Sequence, residues 1–139
     1  MAKPHVALDV RIPSDVNYIE GVVELATRKC RELLIPPRKC SLNVRVALSE
    51  AISNAILRGN GVGDNKHVRI RAVVSDETVV FDVVDEGPGF DLSSIPDPTS
   101  PDNILREDGR GLFLMQQLMD EVERFQADGN VVRLTLRRE

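Results

Sequence analysis

The sequence predicts an α+β fold, a two-layer sandwich with helices on one face of a mixed, mainly antiparallel sheet. Three observations point there. Segments with the two-residue alternation of strands come in pairs joined by short turns. Segments with helical spacing are segregated from them instead of alternating one for one. The 139 residues, 42% hydrophobic and 29% charged, suit a single domain over 1–139 with a real core.

The first element is a strand, because Val6, Leu8, Val10 and Ile12 alternate with Ala7, Asp9 and Arg11. Pro13 ends it, and Ser14-Asp15 supplies an N-cap. A helix follows to about Leu34, with Val16, Ile19, Val22, Val23, Ala26, Cys30, Leu33 and Leu34 at helical spacing. Pro36-Pro37 breaks it. A second helix is expected from Arg38 to Arg58, with Leu42, Val46, Ser49, Ile52, Ser53 and Ile56 on one stripe. Asn60-Gly61-Val62-Gly63-Asp64 reads as a loop. The β-branched runs His67 to Ser75 and Thr78 to Val84 form a hairpin across Asp76-Glu77. From Gly87 to Gly109 the chain turns to Pro, Asp, Ser and Gly, the composition of a lid or binding loop. Gly111 opens a helix to about Asp120, with Leu112, Met115, Leu118 and Met119 inward. Strands at Glu121 to Phe125 and Asn130 to Arg137 flank the turn Asp128-Gly129.

Composition narrows the function. Eighteen basic against 22 acidic residues give a net charge of −4, which leaves no basic excess to displace counterions from nucleic acid. Apolar runs are too short to span a membrane, and the N-terminus lacks a signal-peptide core. The expected location is therefore the cytoplasm. Cys30 and Cys40 have no CxxC or histidine companion and read as a cytosolic thiol pair. Arg28, Lys29, Arg31, Arg38 and Lys39 form a basic patch, read as a solvated face before a docking surface.

Three segments carry chemistry. Glu50 and Asn54 are one helical turn apart on one face, where a carboxylate can take a proton and an amide oxygen can meet Mg²⁺. In Asp85-Glu86-Gly87-Pro88-Gly89-Phe90, an acid at a strand end is followed by two glycines. That lets backbone pass close to a ligand while the carboxylate accepts its hydrogen bond, as from the amine of adenine. In Asp108-Gly109-Arg110-Gly111-Leu112-Phe113, glycines at a helix start offer N–H groups to phosphate. Neither a Walker A loop nor a complete Rossmann fingerprint occurs.

In this order, the ExxxNA, DxGxGF and GxGLF runs resemble the N, G1 and G2 boxes of the GHKL ATPase superfamily. Within it, the chain is most similar to the anti-sigma factor serine kinases. The resemblance covers nearly the whole chain and implies the Bergerat nucleotide fold, with ATP and Mg²⁺ as cofactors. It implies Glu50 as general base, Asn54 as Mg²⁺ ligand and Asp85 as the adenine contact. Gly87 and Gly89 would shape the purine pocket, and Gly109, Arg110 and Gly111, with Leu112 behind, would cradle the phosphates. The residues between Asp91 and Asp108 would form the lid. The family often has His where this chain has Arg58. His5, in an N-terminal tail, and His67, at a strand start, lie in no helical dimerisation hairpin and read as surface residues, which argues against a histidine autokinase.

The expected function is a regulatory kinase that phosphorylates a serine of an anti-sigma antagonist of STAS type and sequesters a sigma factor. A homodimer is implied by the same likeness; no membrane or nucleic-acid partner is. The alternatives are an ATP-binding module acting by sequestration alone and a detached ATPase domain. Retention of Glu50 favours catalysis, since binding alone needs no base.

Overall fold

The structure, a computed structural model, describes residues 3–60, 65–87 and 107–139, with 107–109 described as backbone only. Among these, five strands form one sheet: β1 (His5–Pro13), β2 (His67–Val74), β3 (Thr78–Val84), β4 (Glu121–Gln126) and β5 (Asn130–Arg137). Their order is β1-β2-β3-β5-β4. Three α-helices accompany them, α1 (Ile19–Glu32), α2 (Arg45–Asn54) and α3 (Glu107–Leu118). Every described pairing is antiparallel, so the expected mixed character is not found there. The connections explain it. Two helices, not one, join β1 to β2, and tight turns join β2 to β3 and β4 to β5, so no single-helix crossover links neighbours. His5 opens β1 and is not a tail residue.

One face of the sheet holds the core. Ile70, Ala72 and Val74 of β2, Phe81 of β3 and Leu134 of β5 are buried with Val23 and Ala26 of α1, Leu48 and Ile52 of α2, and Met115 of α3. A side chain such as Phe81 or Leu134, removed from water altogether, contributes roughly 1.5–3 kcal/mol. Both cysteines are buried free thiols in this layer. Burial first, and then the neighbouring Cys40, push the Cys30 thiol up to about 12, which leaves it inert as a nucleophile.

The capping signal at Asp15 is used, though for a short 3₁₀ turn (Val16–Tyr18) that leads into α1; its side chain accepts from Asn17 N at 2.9 Å. At the other end, Ile35 N donates to Cys30 O and Leu34 N to Arg31 O, the paired bonds of a Schellman cap. The left-handed position of that cap, usually glycine, is Leu34 at φ 62°, with its side chain 88% exposed.

The expected single helix from Arg38 to Arg58 is three pieces. Wide π turns, Lys39–Val44 and Ala55–Gly59, flank α2. Each extra residue in a wide turn rotates the buried face. The inward positions are therefore Cys40, Val44, Leu48, Ile52 and Ile56, while Leu42, expected inside, is 40% exposed. The third helix starts four residues before Gly111 and ends at Leu118.

The opposite face of the sheet carries alternating charge across all five strands. Asp9 faces Arg71, Arg71 faces Asp82, Asp82 faces Arg133, and Arg133 faces Glu123. Arg133 grips Asp82 through two bonds of 2.8 and 2.9 Å and lies over the Phe125 ring at 4.9 Å. Arg69 grips Asp9 likewise at 2.8 and 2.6 Å.

Two outcomes follow from these contacts. Leu34→Gly removes a left-handed Cβ and an exposed leucine, so it should stabilise the fold by about 1 kcal/mol, read from the urea midpoint. The Arg69 hydrogen bond holds the Asp9 carboxyl below its ordinary 3.8, with burial opposing and the charges of Arg69 and Arg71 assisting. A lowered carboxyl pKa stabilises the fold above the unfolded pKa, and that contribution is lost as pH falls through the folded one. Between about pH 4 and about pH 2, the wild type should therefore lose more stability than Asp9→Asn; equal losses would contradict the pairing.

Candidate functional site

Glu50 and Asn54 project from the half-buried side of α2 toward α3, one turn apart as their spacing requires. Gly111 lies directly against them. A Cβ built on Gly111 would stand 2.9 Å from Glu50 Oε2 and 3.4 Å from Asn54 Nδ2. The first and third segments singled out in the sequence thus meet across the α2–α3 contact. Leu112, next in α3, is buried below them, and Arg110 is exposed. Because α3 opens at Glu107, the N–H groups without an intrahelical acceptor include those of residues 107–109, and Gly111 sits inside the helix. Gly109 therefore falls in the first turn. The helix start is thus set upstream of Gly111, where the sequence suggested it.

Asp85 leaves β3 beside Gly59, one wide turn beyond the C-terminal end of α2, and is only 6% exposed. Its Oδ1 accepts from Gly87 N at 2.9 Å and from Asn130 Nδ2 at 2.9 Å, while its own N–H donates to Asn130 O at 3.0 Å. Oδ2 is turned toward the α-carbon of Gly59, where a methyl group would overlap it. Gly87 is pressed against the carbonyl of Gly59, and Gly129 against the carbonyl of Asp85 itself. Backbone thus reaches this carboxylate from the end of α2, from the exit of β3 and from the β4–β5 turn. Oδ1 is held and Oδ2 has no partner among the described residues, the arrangement an amine-bearing ring would use.

Beside it, Glu86 Oε1 accepts from His67 N and lies 3.4 Å from His67 Nδ1 and 3.6 Å from Arg11 Nη2. His67, read as a plain surface residue, is half-buried in this cluster. Gly59, Asn60, Gly129 and Asn130 were not among the residues the sequence singled out for the site. Gly59 follows Arg58, and Gly129 closes a recognisable turn, but nothing local ties either to Asp85. Gly89 and the lid expected between Asp91 and Asp108 lie outside the described residues, apart from the backbone at 107 and 108.

The arrangement separates two chemistries. The Asp85 end can receive a hydrogen-bond donor in a cradle without side chains. The Glu50 and Asn54 end offers two oxygen donors beside a helix start. Such hard oxygen donors fit Mg²⁺, whose remaining positions phosphate and water would fill.

The glycines differ in what a side chain would meet. At Gly129 (φ 129°) an added methyl would both strain the backbone and overlap the Asp85 carbonyl. At Gly111 it meets the tip of a flexible carboxylate. Gly129→Ala should accordingly cost about 2 kcal/mol or more in denaturant unfolding, and Gly111→Ala less than about 1 kcal/mol. Comparable losses would mean that Glu50 is held as rigidly as the Asp85 backbone.

Known proteins share this arrangement of elements. A family model described as "Histidine kinase-like ATPase domain" matches residues 12–136. Proteins called Serine-protein kinase RsbW are similar over most of the chain. The one from Staphylococcus aureus is 30% identical over 135 residues, covering 92% of this chain and 84% of its own. That from Bacillus subtilis is 28% identical over 134 residues, covering 92% and 83%. That from Oceanobacillus iheyensis is 28% identical over 122 residues, covering 84% and 77%. The solved structure of the RsbU and RsbW domains of Rv1364c from Mycobacterium tuberculosis is similar in fold, with a TM-score of 0.63 at 19% identity. There the likeness covers 98% of this chain and 32% of that one, so this chain spans about a third of it. The family match runs from the end of β1 almost to the end of β5, and the chain belongs to the histidine kinase-like ATPase domain family.

Proposed function

We propose that this chain is an ATP-dependent protein-serine kinase that regulates by partner switching in the cytoplasm. The contact of Gly111 with Glu50 and Asn54 carries the reading, because it sets a carboxylate and an amide side chain beside the first turns of α3. The similarity to serine-protein kinases supports the choice of acceptor. The partners in this reading are a sigma factor, held by sequestration, and a STAS-type antagonist that supplies the serine. A homodimer of single-domain chains would present the two sites.

Asp85 Oδ2 receives the exocyclic amine of adenine, while Gly87 and Gly89 let the ring lie against backbone. Gly109, Arg110 and Gly111 approach the phosphates, Arg110 by charge and the helix start by its free N–H groups. Leu112 fixes that helix turn from below. Glu50 takes the proton of the serine hydroxyl as its oxygen bonds to the γ-phosphorus and the bond to ADP breaks. Asn54 would hold Mg²⁺, which would supply charge neutralisation on the phosphate oxygens. Phosphoryl transfer asks little more than position and neutralised charge.

The test is transfer of labelled phosphate from ATP to a serine of a candidate antagonist domain. Glu50→Ala should abolish label transfer and leave ATP affinity within about threefold. Asp85→Asn should instead weaken ATP binding by about 1–3 kcal/mol, the scale of a charged hydrogen bond. Undiminished transfer in Glu50→Ala would remove the base from the reaction. ATP binding with no transfer to any partner serine would favour sequestration alone.

A further inference from the structure

Asn60 is the most heavily used polar side chain near the site. It is 2% exposed and stands where the wide turn after α2 ends, with its N–H closing that turn on Ala55 O at 2.8 Å. Its Oδ1 accepts from Glu86 N at 2.6 Å. Its Nδ2 donates to His67 O at 3.0 Å and to Ser14 Oγ at 3.1 Å. Its own carbonyl accepts from Lys66 Nζ at 2.7 Å. A primary amide has two N–H donors and one carbonyl oxygen, and here both donors and the oxygen are engaged. The partners also fix which way the amide faces, since a flip would oppose two N–H groups at Glu86 and two oxygens at His67.

One of these contacts bears on the ligand. The Glu86 N–H belongs to the peptide that leaves Asp85, so the Asn60 oxygen sets the tilt of that peptide and the direction in which the Asp85 carboxylate leaves it. Asn60 also follows Gly59, whose α-carbon faces Asp85 Oδ2. The same residue therefore holds both walls of the cradle, one through the chain and one through a hydrogen bond. Among the described residues, none of its hydrogen bonds reaches Glu50 or Gly111.

We infer that Asn60 is a positioning residue for purine recognition, setting the Asp85–Glu86 peptide against Gly59, with no part in holding the phosphates. This rests on the nucleotide reading of the site given above. The consequence is selective: loss of Asn60 should weaken the purine end and spare the phosphate end. A residue that merely stabilised the fold would weaken both ends together or neither.

Calorimetric titration of the full chain with ATP and with inorganic tripolyphosphate, each with Mg²⁺ and well below the thermal midpoint, separates these cases. Asn60→Ala should weaken ATP at least tenfold and change tripolyphosphate less than twofold. Asn60→Asp keeps the acceptor facing Glu86 N and removes the donors facing His67 and Ser14. It should hold ATP affinity within threefold of wild type, and it carries the test if the alanine variant does not fold. Unchanged ATP affinity in Asn60→Ala, equal losses for both ligands, or an aspartate variant with tenfold weaker ATP would each overturn the inference. Wild-type protein that ignores ATP would overturn the nucleotide reading itself, a result distinct from all three.

Discussion

The site depends on a carboxylate that backbone approaches from three sides. Asp85 fits where it does because positions 59, 87 and 129 carry no side chain, and any one would overlap a neighbouring chain segment. Such contacts have no slack. A side chain can rotate away from a ligand, whereas a glycine pressed on a carbonyl moves only with its whole segment. The Asp85 Oδ1 bonds to Gly87 and Asn130 complete the fixation, so the remaining oxygen keeps one direction.

How much of this the sequence reveals depends on whether the cause is local. The bounds of β3 and β5 match expectation because β-branched runs and short turns define them within a few residues. Glu50 and Asn54 were legible because helical spacing alone puts them on one face. The wide turns around α2 were not. A hydrophobic pattern read at 3.6 residues per turn has no place for one longer turn, so Leu42 was assigned inward and lies outward. Asn130 and Asn60 were missed for another reason. Their partners in the site stand 45 and 26 residues away, and only the sheet brings them together.

The charged face of the sheet follows from having helices on one side only. Left open, five strands of alternating residues must present something that water accepts and that another sheet does not. A row of opposite charges facing one another across every strand pair does this while giving each carboxylate a guanidinium neighbour. Exposed pairs of this kind contribute little energy each, about 0.2–1 kcal/mol. Their larger effect is on register, since a slip of one residue would bring charged positions into the core. Register matters here because β3 must end at Asp85 and β5 must begin at Asn130 for the two to meet.

In the proposed reading, the two ends of the site, for purine and for phosphate, are therefore built of different material. The purine end is backbone and buried amide, and it resists change because every displacement breaks several hydrogen bonds together. The phosphate end is formed by half-buried and exposed side chains, Glu50, Asn54 and Arg110, beside a helix start. ATP and ADP share the ring and differ only in the phosphates. A rigid purine end would bind them alike, so their difference in binding free energy would arise where the structure has side-chain freedom. In the proposed reading, a partner that distinguishes the two nucleotide states would sense the α2–α3 contact, because the Asp85 cradle would serve both alike.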